Sequence, residues 1–304
     1  MALFRQFSRL SSSFVSRSGF SRRIHSVPVL ESEETMVREG IPGLYSAQGF
    51  EIAWPKYQSY VVAELNKRTV GTKLDGLTAF ETMLTAGRDL TKVPEFNFAS
   101  LSHNNHLFFH GLKPSGTSGE QQLPTGKLQA AIDLSFTSID ELRDHIIYIG
   151  TAMCGNGFVW LLEGPDKKLY VTATYNAGTP YDYARNQTSD FNSPSSAAAR
   201  AQVSSNERTL RLSTISKAAY SSESPVALPA EVHANPEYPL PLLCVSVWEH
   251  SYLFDYGFGK KEQYLNNWWN SINWPLIESR YLSASGSPSD DTSSHPDKQE
   301  PNQE

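Results

Sequence analysis

The strongest constraint on the fold lies in the middle of the chain. Two apolar runs, Phe158 to Glu163 and Leu169 to Asn176, are separated only by Gly164-Pro165-Asp166-Lys167-Lys168. Short apolar runs divided by a Gly/Pro/Asp cluster read as two strands joined by a turn. A third run, Pro241 to Trp248 (PLLCVSVW), reads as another strand. The other patterns are helical. From about Gln48 to Thr69, Ile52, Trp54, Tyr57, Val61 and Leu65 recur at helical spacing, and Gly71 and Thr72 end the run. Pro55 is expected in its first turn, where a missing N–H is tolerated. Leu77 to Arg88 carries Phe80, Met83 and Leu84, and Phe98 to Leu112 is rich in His and Phe. Past Pro114 and a Gly/Ser stretch at 115–119, Ser138 and Glu141 have capping-box spacing ahead of Leu142, Ile146 and Ile149. After the Pro241 to Trp248 strand, aromatic helices are expected to about Tyr281. Helices, then a helix, two strands, a third strand and closing helices make an α+β arrangement with a small antiparallel sheet.

The remaining segments differ in character. The first 26 residues carry Arg5, Arg9, Arg17, Arg22 and Arg23, many serines, and no acid. Phe4, Phe7, Leu10 and Phe14 would line one face of a helix opposite the arginines. That is the composition of a mitochondrial transit peptide at 1–26, with cleavage near Arg23. Residues 27–45 read as an extended lead-in. The 177–238 stretch, rich in Ser, Asn, Ala and Pro, reads as a long irregular insertion that makes partner contacts. The 284–304 tail reads as polar, acidic and disordered.

Composition narrows the function. The 304 residues are 39% hydrophobic and 12% aromatic, enough for a packed core. No apolar run approaches the roughly 20 residues that span a bilayer, so no membrane partner is expected. Cys154 and Cys244 are too few for a disulfide framework or a zinc motif. The chain has 26 basic and 32 acidic residues; without the five leading arginines the balance is 21 against 32. A surface so acidic argues for protein contacts and little direct RNA contact.

Three segments are distinctive when taken together. They are His103-Asn104-Asn105-His106-Leu107-Phe108-Phe109-His110, then Gly155-Asn156-Gly157-Phe158-Val159-Trp160-Leu161, then Val247-Trp248-Glu249-His250-Ser251-Tyr252. The last continues to Tyr264-Leu265-Asn266-Asn267-Trp268-Trp269-Asn270-Ser271-Ile272-Asn273-Trp274. In order and spacing they resemble the iron/manganese superoxide dismutase family, whose members carry H-x-N-H-x-x-F-W, G-S-G-W-x-W-L, D-V-W-E-H-A-Y-Y and Y-L-x-x-x-W-x-x-I-N-W. The resemblance covers about 43–176 and 239–283. It implies an N-terminal helical hairpin, within a helical domain over 43–118. It also implies a C-terminal α/β domain over 121–283 with a three-stranded antiparallel sheet and the 177–238 insertion.

The family holds one redox metal with three imidazoles and a carboxylate, a donor set suited to iron or manganese. Its opening helix reads M-E-I-H-H-x-K-H-H-x-x-Y-V, against Phe50-Glu51-Ile52-Ala53-Trp54-Pro55-Lys56-Tyr57-Gln58-Ser59-Tyr60-Val61-Val62 here. The resemblance therefore places one ligand position on Ala53 and another, the aspartate, on Ser246, both lost. His106 and His250 match the two ligands that remain. Val61 stands for the family's gateway tyrosine, and Cys154 for a solvent-binding glutamine. The expectation is a pseudoenzyme with no bound metal or other cofactor and no catalytic residues, His103 and His110 being structural. In the family the Glu-His of W-E-H lies at a two-fold interface, so Glu249 and His250 are partner-contact candidates.

Gly43-Leu44-Tyr45-Ser46-Ala47-Gln48-Gly49-Phe50 followed by Ile52-Ala53-Trp54 also resembles the superoxide dismutase-like proteins of fungal mitochondrial ribosomes. That likeness implies a structural subunit of the mitochondrial small ribosomal subunit in the matrix, paired with a paralogue of the same fold and touching other small-subunit proteins. The alternative expectation is a matrix superoxide dismutase with a degenerate metal site.

Overall fold

A computed structural model describes residues 24–87, 89–113, 122–181 and 239–284. The expected leader lies outside these residues except for 24–26, the tail except for 284, and the insertion except for 177–181.

The chain enters along a helix. His25 exchanges two hydrogen bonds with the Asn66 side chain, N–H to Oδ1 at 2.9 Å and Nδ2 to carbonyl at 2.9 Å. The 27–45 lead-in is not wholly extended: it contains α1 (Glu33–Glu39). The Glu33 carboxylate accepts the Leu30 N–H, and Met36 is buried, so local bonding and one apolar contact hold a short helix.

A single long helix follows in three parts: α2 (Ala47–Glu51), a π-helical turn (Ile52–Lys56) and α3 (Tyr57–Thr69). Pro55 is thus not in a first turn. It sits mid-helix, where the wider π turn accommodates the missing N–H. α4 (Ala79–Ala86) begins with a full reciprocal capping box between Thr78 and Glu81. α5 (Val93–His110) starts earlier than the sequence indicates, with Pro94 in its first turn. α3 and α5 pack together as a helical hairpin, with α4 against α5.

Beyond 122, α6 (Gly126–Phe136) was not visible in the sequence pattern, and α7 (Ile139–Ala152) follows with Ser138 accepting the Glu141 N–H at 3.1 Å. The sheet is antiparallel, in the order β2-β1-β3, from β1 (Gly157–Glu163), β2 (Leu169–Tyr175) and β3 (Leu240–Ser246). Both strands of the expected hairpin are present. Every residue of β1 is buried, as suits a central strand. β3 ends two residues before Trp248, and its pairing slips between Leu161–Leu243 and Leu162–Pro241. Pro241 has no N–H to donate, and it is placed at this irregularity on an outer strand. The closing elements are a 3₁₀ turn (Glu249–Ser251), α8 (Leu253–Tyr256), α9 (Lys261–Asn270) and α10 (Trp274–Ala284).

Residues 177–181 are core, not insertion. The Ala177 carbonyl accepts the Ser100 hydroxyl at 2.7 Å, and the Gly178 carbonyl accepts Asn104 Nδ2 at 3.0 Å and the Thr174 hydroxyl at 3.0 Å. Tyr181 is fully buried.

The two halves are sewn together at several points. The Lys113 N–H donates to the Ser271 carbonyl and the Asn273 N–H to the Gly111 carbonyl, each at 2.9 Å. Asp255 accepts both the Ser46 hydroxyl (2.5 Å) and the Ser46 N–H (3.0 Å), while Ser46 caps α2 by accepting the Gly49 N–H. Among the described residues no helix is long and apolar enough to cross a membrane.

Gly157 opens β1 where any side chain would overlap the Thr174 carbonyl oxygen and crowd Met153. Gly157→Ala forces the β1–β2 backbones apart. It should destabilise the protein by about 1–3 kcal/mol or more, read as a lowered denaturation midpoint; an unchanged midpoint would contradict this packing.

Candidate metal centre

The opening helix, α5 and the end of β3 converge on one buried place. Ala53 lies in the π turn and is fully buried, and its carbonyl is 3.5 Å from Asn105 Nδ2. Next to it Trp54 is also fully buried, its ring 5.7 Å from that of His106 and 5.2 Å from that of Phe109. One turn on, Tyr57 stacks on His250 with ring centroids 3.8 Å apart and planes 29° from parallel. Trp248 borders His250 from another direction, at 5.6 Å.

β3 delivers Ser246, fully buried, to the same region. Its hydroxyl lies 2.8 Å from that of Ser251 and accepts the Trp248 N–H at 3.3 Å. Its carbonyl accepts the Tyr264 hydroxyl at 2.9 Å. The serine oxygen is therefore engaged in closing the turn that follows the strand.

Beneath the aromatics runs a polar seam between α3 and α5. Gln58, fully buried, donates Nε2 to the Ser102 carbonyl (2.9 Å) and hydroxyl (3.1 Å), and its Oε1 accepts Asn105 Nδ2 at 3.0 Å. The Gln58 amide is satisfied at both ends, whereas Asn105 Oδ1 has no hydrogen-bond partner among the described residues.

Four histidines surround the seam, all held neutral. Burial lowers His103, His106, His110 and His250 to about 4, 3, 4 and 4, with Arg280 adding to the effect at the first three. His106 is further lowered by His110 and His103. His103 Nε2 bonds the Tyr181 hydroxyl at 2.9 Å, and His110 Nδ1 accepts from Arg280 Nη2 at 2.6 Å, so both have hydrogen-bond roles in packing. The Nε2 atoms of His106 and His250 have no hydrogen-bond partner among the described residues. Val61 is buried and Cys154 exposed. Glu249 is exposed on the 3₁₀ turn, its N–H donating to Asn156 Oδ1 at 3.2 Å.

The sequence profile of the C-terminal domain of iron/manganese superoxide dismutases matches residues 124–189 and 203–280. Those residues carry a region similar to the C-terminal domain of that family. It is 26% identical over 278 residues to small ribosomal subunit protein mS43 of Schizosaccharomyces pombe, covering 88% of this chain and 87% of that one. It is 27% identical over 201 residues to small ribosomal subunit protein mS42 of the same organism, covering 66% and 71%. The iron superoxide dismutase of Salmonella typhimurium is 27% identical over 232 residues, covering 76% and 87%.

The side chains gathered here do not fit the ion that the resemblance to superoxide dismutases implies. Ala53 has no donor atom. Ser246 brings a neutral hydroxyl already bonded to Ser251. Two imidazoles are left, one with Trp54 against it and the other beneath Tyr57. Among the described residues no three His, Cys, Asp or Glu side chains converge as a metal site. Sequence reasoning named four candidate positions, read Trp54 and Tyr57 only as apolar residues at helical spacing, and gave no role to Gln58. Burying an indole is worth roughly 4–6 kcal/mol gross. That exceeds the about 1–3 kcal/mol cost of an unpartnered ring N–H such as that of Trp54.

The neutral histidines fix a pH response. Their native values lie below the ordinary 6.5, so under mildly acid conditions the unfolded chain binds protons that the native chain does not. Their contribution is full above about pH 6.5 and declines from there towards about pH 4. The thermal midpoint should fall by several degrees across that window; a flat profile would contradict the buried neutral state.

Proposed function

We propose that the chain is a structural component of the small subunit of the mitochondrial ribosome and supports mitochondrial translation without dismutase activity. The observation that carries this reading is the match to mS43, which runs nearly end to end on both chains. The second ribosomal relative, mS42, supports it. So does the composition of the buried centre, where two of four donor positions hold an alanine and an engaged serine.

The partner we propose is a paralogue of the same fold, with Glu249 and His250 at the contact. Glu249 is exposed beside His250 on the 3₁₀ turn, and the stack on Tyr57 fixes the His250 ring. The acidic balance of the mature chain favours protein neighbours, with little direct contact to ribosomal RNA. Residues 177–238 are proposed to add partner contacts through the part beyond Tyr181. A matrix location follows from the arginine-rich leader. Cleavage near Arg23 would leave the His25–Asn66 pair intact.

A second reading, a matrix superoxide dismutase with a degenerate site, draws on the unpartnered Nε2 atoms of His106 and His250 and on the similarity to the Salmonella enzyme. Density-gradient sedimentation of mitochondrial lysate separates the two. The ribosomal reading expects the tagged chain to co-migrate with the small subunit, and Glu249→Arg to weaken recovery of the same-fold partner. Migration as a small free species with dismutase turnover would favour the enzyme.

A further inference from the structure

We infer that the opening helix plugs its own ligand centre: Trp54 and Tyr57 take up the space between His106, Ser246 and His250, so that an ion is excluded by occupancy as well as by the two missing donors. This deepens the reading of the chain as a structural component without dismutase activity and rests on it.

Three observations carry the inference. Each of the two imidazoles that match family ligands has an aromatic ring of the opening helix against it, Trp54 beside His106 at 5.7 Å and Tyr57 over His250 at 3.8 Å. An ion would bond in the ring plane, and there the Nε2 atoms of both imidazoles are buried although no described residue hydrogen-bonds them, while Tyr57 covers one face of the His250 ring. Second, the backbone that aims these rings is altered. Pro55 lies between them in the π turn, where the helix is wider than 3.6 residues per turn, so the residues from Ala53 to Tyr57 are turned relative to an uninterrupted α-helix. Third, the plug is continuous with the core. Trp54 also meets Phe109, which meets Phe50 at 5.6 Å and Tyr45 at 5.9 Å. The aromatic contacts therefore tie the helical half to the turn after β3, the place where family enzymes tie the same elements through a metal.

Removing the plug and restoring the donors are separable operations. In the full mature chain, Ala53→His with Ser246→Asp supplies the missing donors but keeps both rings. Adding Trp54→Ala and Tyr57→Ala removes both rings and adds no donor. Both proteins would be expressed with excess manganese, and bound metal measured by mass spectrometry after gel filtration. The plug predicts roughly tenfold or more manganese per chain in the fourfold variant than in the double variant. A stoichiometric ion in the double variant, or no difference between the two, would overturn it.

A second measurement needs no metal. Diethylpyrocarbonate modifies accessible neutral imidazoles, and the modified histidines are located by peptide mass spectrometry. His106 and His250 should react slowly in the unaltered chain and at least about tenfold faster after Trp54→Ala with Tyr57→Ala. Tyr57→Ala alone tests His250 should the double truncation not fold. Equal reactivity with and without the rings would overturn the plug. Both readouts are made on the isolated chain, so failure to sediment with ribosomes would refute the assembly reading without touching them.

Discussion

Tyr57 lying flat on His250 is the contact on which the rest of this molecule depends. The tyrosine belongs to the helix that opens the fold, and the histidine to the turn that follows the last strand, 193 positions later in the sequence. Long-range contacts of this kind carry a loop-closure cost that only a well-packed, desolvated junction repays. Here the junction is aromatic throughout. Trp54, Phe109 and Phe50 continue it into the helical half, and Trp248, Tyr252 and Tyr264 into the sheet half. An ion would give the same junction directional bonds. The rings give it buried area and edge-to-face packing.

An apolar junction also sets the charge state around it. No acid faces His106 or His250 strongly enough to offset burial, so both stay neutral, and the seam of Gln58, Ser102 and Asn105 beside them is built of uncharged groups. Arg280 donates to the Leu242 carbonyl at 2.9 Å and to the ring of His110, and burial lowers it to about 10. At the end of β3 a serine is bonded to a serine, so no anionic group stands there.

Much of this was legible in the residues. The hairpin was, because Gly164-Pro165-Asp166 punctuates two apolar runs. The elements that escaped did so for local reasons. α1 is seven residues held by a single buried methionine and a carboxylate bonded to Leu30, too short for periodicity to reveal. α6 begins at Gly126 with positive φ and no side-chain cap, so it lacks the usual start marker. Residues 177–181 have loop composition, but Ser100, Asn104 and Thr174 satisfy their carbonyls and allow burial. Trp54 and Tyr57 were visible only as core aromatics at helical spacing. Their position against the histidines depends on the π turn at Pro55, and a proline in a helical pattern reads first as a start or a kink.

The central claim is that aromatic rings stand where the family's enzymes hold an ion. Crystals of the full chain grown with excess manganese, with diffraction recorded on both sides of the manganese absorption edge, test it most directly. The account predicts no anomalous peak within bonding distance of His106 and His250, and density for Trp54 and Tyr57 against their rings. A strong peak there, with either ring displaced to admit the ion, would contradict it.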